Sequence, residues 1–137
     1  SQFLADIPLD DGMGEVKAKV TYHDPCHLVR GQGVSAEPRR LLKMIPGVEL
    51  VEMKEANWCC GSAGTNMLTH YEMTMGILER KMRNVAATDA EVIASGCPVC
   101  QMQLAYGVRR AGLRMKVTHP VALLDRAYRS SQRTAEG

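Results

Sequence analysis

Five cysteines carry all of the thiol chemistry open to this 137-residue chain: Cys26, the adjacent pair Cys59-Cys60, and Cys97 with Cys100. A stretch of 32 residues separates Cys26 from the pair, and 36 separate the pair from Cys97. Thiolates are soft ligands, suited to zinc and to iron–sulfur clusters. Cys97-Pro98-Val99-Cys100 supplies two sulfurs a turn apart, where the positive end of a helix opened by Pro98 favours the thiolate form. Cys59 and Cys60, as chain neighbours, point in different directions and most easily serve different metal atoms. A multi-iron cluster can use five thiolates, whereas tetrahedral zinc takes four ligands. Gly61 and Gly64 let backbone N–H groups approach closely, and such donors to sulfur tune a reduction potential. Three readings stand beside each other here: a metal cluster, a structural zinc module for subunit assembly, and a metal-free dithiol at Cys97 and Cys100. The bland alternative is that each cysteine is a small buried hydrophobe.

Other side chains gather near the same segments. His23, His27 and His119 are candidates for hydrogen-bond donors or proton relays around a metal, or for plain packing. His119, before Pro120, also suits a strand-to-helix turn. Trp58 directly precedes the cysteine pair and is expected to shield the centre from water or to fill the core. Asp24 could orient His27 or cap its loop. Arg30, Arg39, Arg40 and Lys43 form a basic segment that reads as a solvated face or as a docking surface for an acidic partner. Gly61-Ser62-Ala63-Gly64-Thr65 has the look of an anion-binding loop but lacks a phosphate-binding lysine.

The elements that must position these residues alternate in type. Val16 to Tyr22 places Val16, Ala18, Val20 and Tyr22 against Lys17, Lys19 and Thr21, the period of a strand. Ser35 N-caps a short helix reaching Met44, and Ile45-Pro46-Gly47 stops it. Val48 to Met53 is a second strand. Leu68, Tyr71, Met75, Leu78, Met82 and Val85 then recur at helical steps, with His70 on the outer side. Glu91 to Ser95 is a third strand, followed by a helix to about Arg110. Leu113 to Val117 is a fourth, and a last helix opens at Pro120. This order predicts an α/β fold: an open, mostly parallel four-stranded sheet with flanking helices. Every cysteine then lies on a loop just after a strand. Such loops open on one edge of a parallel sheet, where these folds bind ligands.

Composition narrows the function further. A 45% hydrophobic content suits one domain with a real core, and a net charge of +2 with interspersed signs argues against nucleic acid as a partner. Aromatic content is 4% against nine methionines, which points to aliphatic and thioether packing instead of base-stacking platforms. No apolar run is long enough to span a bilayer, and no signal peptide opens the chain. An odd cysteine count rules out complete internal pairing, so a reducing, cytoplasmic setting is expected.

Three stretches together resemble a known family: Tyr22-His23-Asp24-Pro25-Cys26-His27-Leu28, Cys59-Cys60-Gly61-Ser62-Ala63-Gly64-Thr65, and Cys97-Pro98-Val99-Cys100. They are similar to the cysteine-rich CCG domain found in heterodisulfide reductase, in the glycolate oxidase iron–sulfur subunit and in lactate-utilisation proteins. The wording around Cys59-Cys60, with His119-Pro120 and Leu123-Leu124, looks closest to the glycolate oxidase branch. The resemblance implies that Cys26, Cys59, Cys60, Cys97 and Cys100 hold a noncubane [4Fe-4S] cluster, with zinc as the alternative occupant. It implies an oxidoreductase whose partners are a flavoprotein or another iron–sulfur subunit, held at the inner face of the membrane through such subunits. Members usually carry two CCG units and often ferredoxin-type cysteine runs. One unit is present here, so an isolated C-terminal domain is expected, unable to complete a reaction alone. Its division would be a lead-in over 1–15, the domain over 16–129 and a disordered tail over 130–137.

Overall fold

The computed structural model describes residues 1–62, 64 and 66–135. The elements run α1 (Gln2–Asp6), β1 (Ala18–His23), α2 (Ala36–Met44), β2 (Val48–Leu50), α3 (Asn66–Thr69), α4 (Tyr71–Ala86), β3 (Val92–Ser95), α5 (Pro98–Arg110), β4 (Lys116–Thr118) and α6 (Pro120–Ala135). A single π-turn over His27–Gly31 follows β1. The four strands form one sheet in the order β2-β1-β3-β4, and every pairing is parallel. This is the open α/β architecture expected from the alternation of elements.

The strand order is what creates a binding edge. From β1 the chain moves one way to β2, then returns past β1 to β3 and β4. The loops leaving β1 and β3 therefore diverge, and a crevice opens between them at the carboxyl ends of the strands. Val20 pairs with Val92 and His23 with Ser95, so the loops bearing Cys26 and Cys97 start side by side.

Each face of the sheet is covered. Val20, Tyr22, Val92 and Ala94 point one way, onto Leu41, Leu42 and Ile45 at α2 and Leu123, Leu124 and Ala127 of α6. Ile93 points the other way, with Met75, Leu78, Met82 and Val85 of α4 and Leu104 and Val108 of α5. Each such aliphatic side chain contributes about 1.5–3 kcal/mol on burial. Two-sided cover also explains why the polar side of β1 is dry at its carboxyl end: Thr21 and His23 are as buried as Val20 and Tyr22, while Lys19 stays partly exposed.

Several boundaries differ from those expected. The lead-in is a packed piece: Leu4, Leu9 and Met13 rest against the α2/α6 core, and Asp6 pairs with Arg40 at 2.7 Å. β2 stops at Leu50, and β4 begins at Lys116 and reaches Thr118. The expected long helix is broken at His70, whose backbone leaves helical angles (φ −131°, ψ 55°). Leu68 and Tyr71 consequently fall off the buried stripe and are 80% and 46% exposed. α6 runs through Ser130 to Ala135, in place of a disordered tail from 130; residues 136 and 137 of that tail lie outside the described residues. Among the described residues no helix is long and apolar enough to cross a membrane.

Candidate metal centre

All five cysteines line one cavity of about 220 Å³ at the β1/β3 crevice, together with His23, His27, Ser62, Gly64 and Val99. Three loops supply them. Cys26 stands exposed at the mouth, where Pro25 and the π-turn carry the chain away from β1. Cys97 is the N-cap residue of α5, with extended backbone angles, and Pro98 sets the first helical turn so that Cys100 returns to the same side. Cys59 and Cys60 arrive on the loop after β2, one half-buried and one buried.

Gly61 is required where it stands. Its φ of +90° belongs to the region that glycine adopts freely, and a Cβ there would lie 2.7 Å from the Thr74 carbonyl of α4. The turn it makes brings its N–H to 3.3 Å from Cys59 Sγ, a backbone donor aimed at sulfur. Gly64, at φ +61°, lines the cavity as well. Ala63 and Thr65 of the same loop lie outside the described residues.

Two thiols from different loops are in contact. Cys60 Sγ lies 3.3 Å from Cys100 Sγ and 3.1 Å from Ser62 Oγ. A thiol contact thus links Cys100 to Cys60, beside the Cys97 and Cys100 dithiol considered from the sequence. The hydrogen bond with Cys60 and burial push the Cys59 thiol far above its usual range, and Cys60 is raised chiefly by its bond with Cys100. Thiols crowded in this way resist ionising together, because like charges would be brought side by side. A bound metal reverses the preference, because it replaces the protons and bonds the thiolates directly.

His23 gives the strongest sign that the cavity is made for an occupant. The imidazole is buried, and neither nitrogen finds a hydrogen-bond partner among the described residues. Burial, aided by the nearby Lys81 cation, pushes it down to about 3, so it is neutral at ordinary pH. Ligand atoms of His23, Cys60 and Cys100 all fall within 4.8 Å of one another. A neutral imidazole with both nitrogens idle beside a thiol cluster is suited to ligate a metal or to donate to a cluster sulfur. The donor set therefore fits either a zinc ion or an iron–sulfur cluster.

The remaining candidates sit elsewhere. Trp58 does not line the cavity; its ring is 42% exposed and lies under Arg80, 4.6 Å from guanidinium to ring centre. His119 accepts the Val121 N–H on Nδ1 at 3.1 Å, capping α6 and shaping the turn. Asp24 does not serve His27 but takes both terminal nitrogens of Arg39, at 2.8 and 2.7 Å. Arg39 also binds Glu52 and the Ser35 carbonyl. With Arg40 held by Asp6, half of the basic segment is internal bracing rather than a free face.

One residue is not marked by any motif in the sequence. Lys81, in the middle of α4, has no solvent exposure and hydrogen-bonds the carbonyls of Glu55 and Ala56. Its position in the helix is the signal that could have exposed it: it sits one turn after Leu78 and one before Val85, near the buried stripe.

An all-parallel α/β domain whose loops gather five thiols at the switch point of its sheet is a cysteine-rich ligand-binding domain. A family model described as a cysteine-rich domain, CCG, matches residues 20–105, and the chain belongs to that family. It is 41% identical over 129 residues to a fumarate reductase (CoM/CoB) subunit of Methanothermobacter marburgensis, covering 93% of this chain and 26% of that one. To the probable glycolate oxidase iron-sulfur subunit of Bacillus subtilis it is 47% identical over 103 residues, 75% of this chain and 23% of the relative. To a dihydromethanophenazine:CoB–CoM heterodisulfide reductase subunit of Methanosarcina mazei it is 37% identical over 133 residues, 93% and 32% of the two. The chain thus spans about a quarter to a third of these oxidoreductase subunits.

Proposed function

We propose that this domain is an iron–sulfur redox centre, with Cys26, Cys59, Cys60, Cys97 and Cys100 as ligands of one noncubane [4Fe-4S] cluster. The observation that carries the reading is the use of every thiol in the chain on a single cavity. A bound cluster would supply one-electron redox chemistry, for passing electrons or for reducing a disulfide to two thiols with two electrons and two protons. The chain's own groups prepare the site for it. The Gly61 N–H is directed at Cys59 sulfur, His23 offers an idle imidazole nitrogen, and the buried Cys60 and Cys100 keep water from the inner side. Cys26 and His27 stand exposed at the mouth, the side from which a partner or substrate would be met. The names of the relatives support an oxidoreductase subunit. Its proposed electron partner is a flavoprotein or a further iron–sulfur protein, and its proposed setting is the cytoplasm or, through that partner, the inner membrane face.

Zinc keeps one observation in its favour: His23, Cys60 and Cys100 are close enough together for a single tetrahedral ion. Anaerobic reconstitution separates the two. About four irons and four sulfides per chain with an electron paramagnetic resonance signal on redox poising support the cluster. About one tightly held zinc, no redox signal and at least one alkylatable cysteine would replace it with the structural module. A Cys60–Cys100 disulfide potential indifferent to chelators would replace both with a metal-free dithiol.

A further inference from the structure

α4 turns one charged side chain into the molecule. Lys81 has no solvent exposure, and its ammonium donates to the Glu55 carbonyl at 2.6 Å and the Ala56 carbonyl at 3.3 Å. Both carbonyls belong to the turn that leads into Cys59-Cys60. The Ala56 carbonyl also accepts the Asp24 N–H at 3.1 Å, from the segment that leads into Cys26. One cation therefore ties together the approaches to three of the five thiols.

No carboxylate among the described residues forms a salt bridge with it. The acids in its neighbourhood are already engaged: Asp24 with Arg39, and Glu55 with Arg80 and Asn84. A buried ammonium is ordinarily paired or neutralised, so one held by two carbonyls alone points to a counter-charge that the bare chain lacks. The thiols are where that charge arises, since metal binding removes their protons. The electrostatics agree in direction. Burial pushes Lys81 down to about 8, and the group that most opposes this is Cys60, ahead of Glu55, Asp24 and Cys59.

We infer that Lys81 is a positioning residue of the metal centre, whose buried ammonium balances the thiolates of Cys59 and Cys60 and pins the loop presenting them. The inference rests on the reading of the five-thiol cavity as a metal centre. It assigns the cation two effects: stronger metal retention, and easier acceptance of an electron, because a fixed positive charge stabilises the more negative reduced state.

Three variants test it. Lys81→Met removes the charge and keeps the bulk, Lys81→Gln keeps an amide donor, and Lys81→Arg keeps the charge. Cobalt(II) titrated anaerobically into each metal-free protein gives a sulfur-to-cobalt absorption that can be competed with a chelator. Wild type and Lys81→Arg should bind alike, with Lys81→Met and Lys81→Gln weaker by roughly 10- to 100-fold. After iron loading, the two neutral variants should also show a more negative midpoint potential, restored in Lys81→Arg. Circular dichroism establishes which variants fold. Wild-type cobalt affinity and potential in folded neutral variants would overturn the inference. Failure of both neutral variants to fold, with and without metal, would overturn it too, by assigning Lys81 to the fold alone. A wild-type chain that holds neither cobalt nor iron sinks the metal-centre reading first, and this inference with it, which is a distinct outcome.

Discussion

Under α2 and α6, the sheet packs on twelve buried residues that are aliphatic apart from Tyr22. Under α4 and α5, another twelve include three cysteines and three methionines. The second face also carries Thr21 and His23 of β1, Ser95 of β3 and Gln103 of α5, each with a buried side-chain polar atom lacking a partner among the described residues. Lys81 adds a buried charge. On the first side only Tyr22 Oη and Glu37 Oε2 lack a partner among the described residues. Unsatisfied polar groups cost about 1–3 kcal/mol each, so the second face gives up more stability than the first. The comparison teaches a division of labour: one face holds the fold, and the other holds a site against its own folding cost.

The largest break in that comparison comes from Cys100→Ser, which should abolish metal retention, read as iron per chain after anaerobic reconstitution, while the metal-free protein still folds. Leu41→Ala acts on the opposite face. It should cost about 2–5 kcal/mol in urea unfolding and leave the iron content of the folded fraction unchanged. Iron loss in that variant would mean that the faces are not independent. A subtler change is His23→Leu, which removes two idle nitrogens. The metal-free variant should unfold at the same or higher urea concentration than wild type, yet hold cobalt roughly 10- to 100-fold more weakly.

The smallest effect concerns Glu55, held by Arg80 and then Asn84 at about 2, against an ordinary 4.5. Its folded-state value is depressed, so the unfolded chain binds the proton more readily. The stability it contributes is present above pH 4.5 and is lost as pH falls toward 2. Urea midpoints measured across that window should drop less in Glu55→Gln than in wild type.

The sequence alternation of β1 made the strand legible, and the placement of each cysteine after a strand made the shared cavity legible. The polar half of that alternation holds at Lys17 and Lys19, which stay accessible, and fails at Thr21, which is buried. Only the docking of α4 and α5, a long-range event, buries Thr21 and His23. The π-turn after β1, the break at His70 and the inward turn of Lys81 were likewise hidden. Each is decided by what packs against the segment, and local propensity carries no record of that. Arg39 shows the same limit: its role depends on Asp24 and Glu52, which reach it through the tertiary fold.

The pairing of β1 with β3 sets an order of events during synthesis. Val20 cannot meet Val92 until the intervening chain has been made, and the Cys97–Cys100 loop takes its place only after β3 docks. At about 5–20 residues per second, Cys26 leaves the ribosome roughly 4 to 15 seconds before Cys100. Through that interval the early thiols have no finished cage around them and are open to oxidants and stray metal ions. On the proposed reading of the cavity, loading comes after the sheet closes, and the timing of translation becomes part of the redox protection that a cell has to provide.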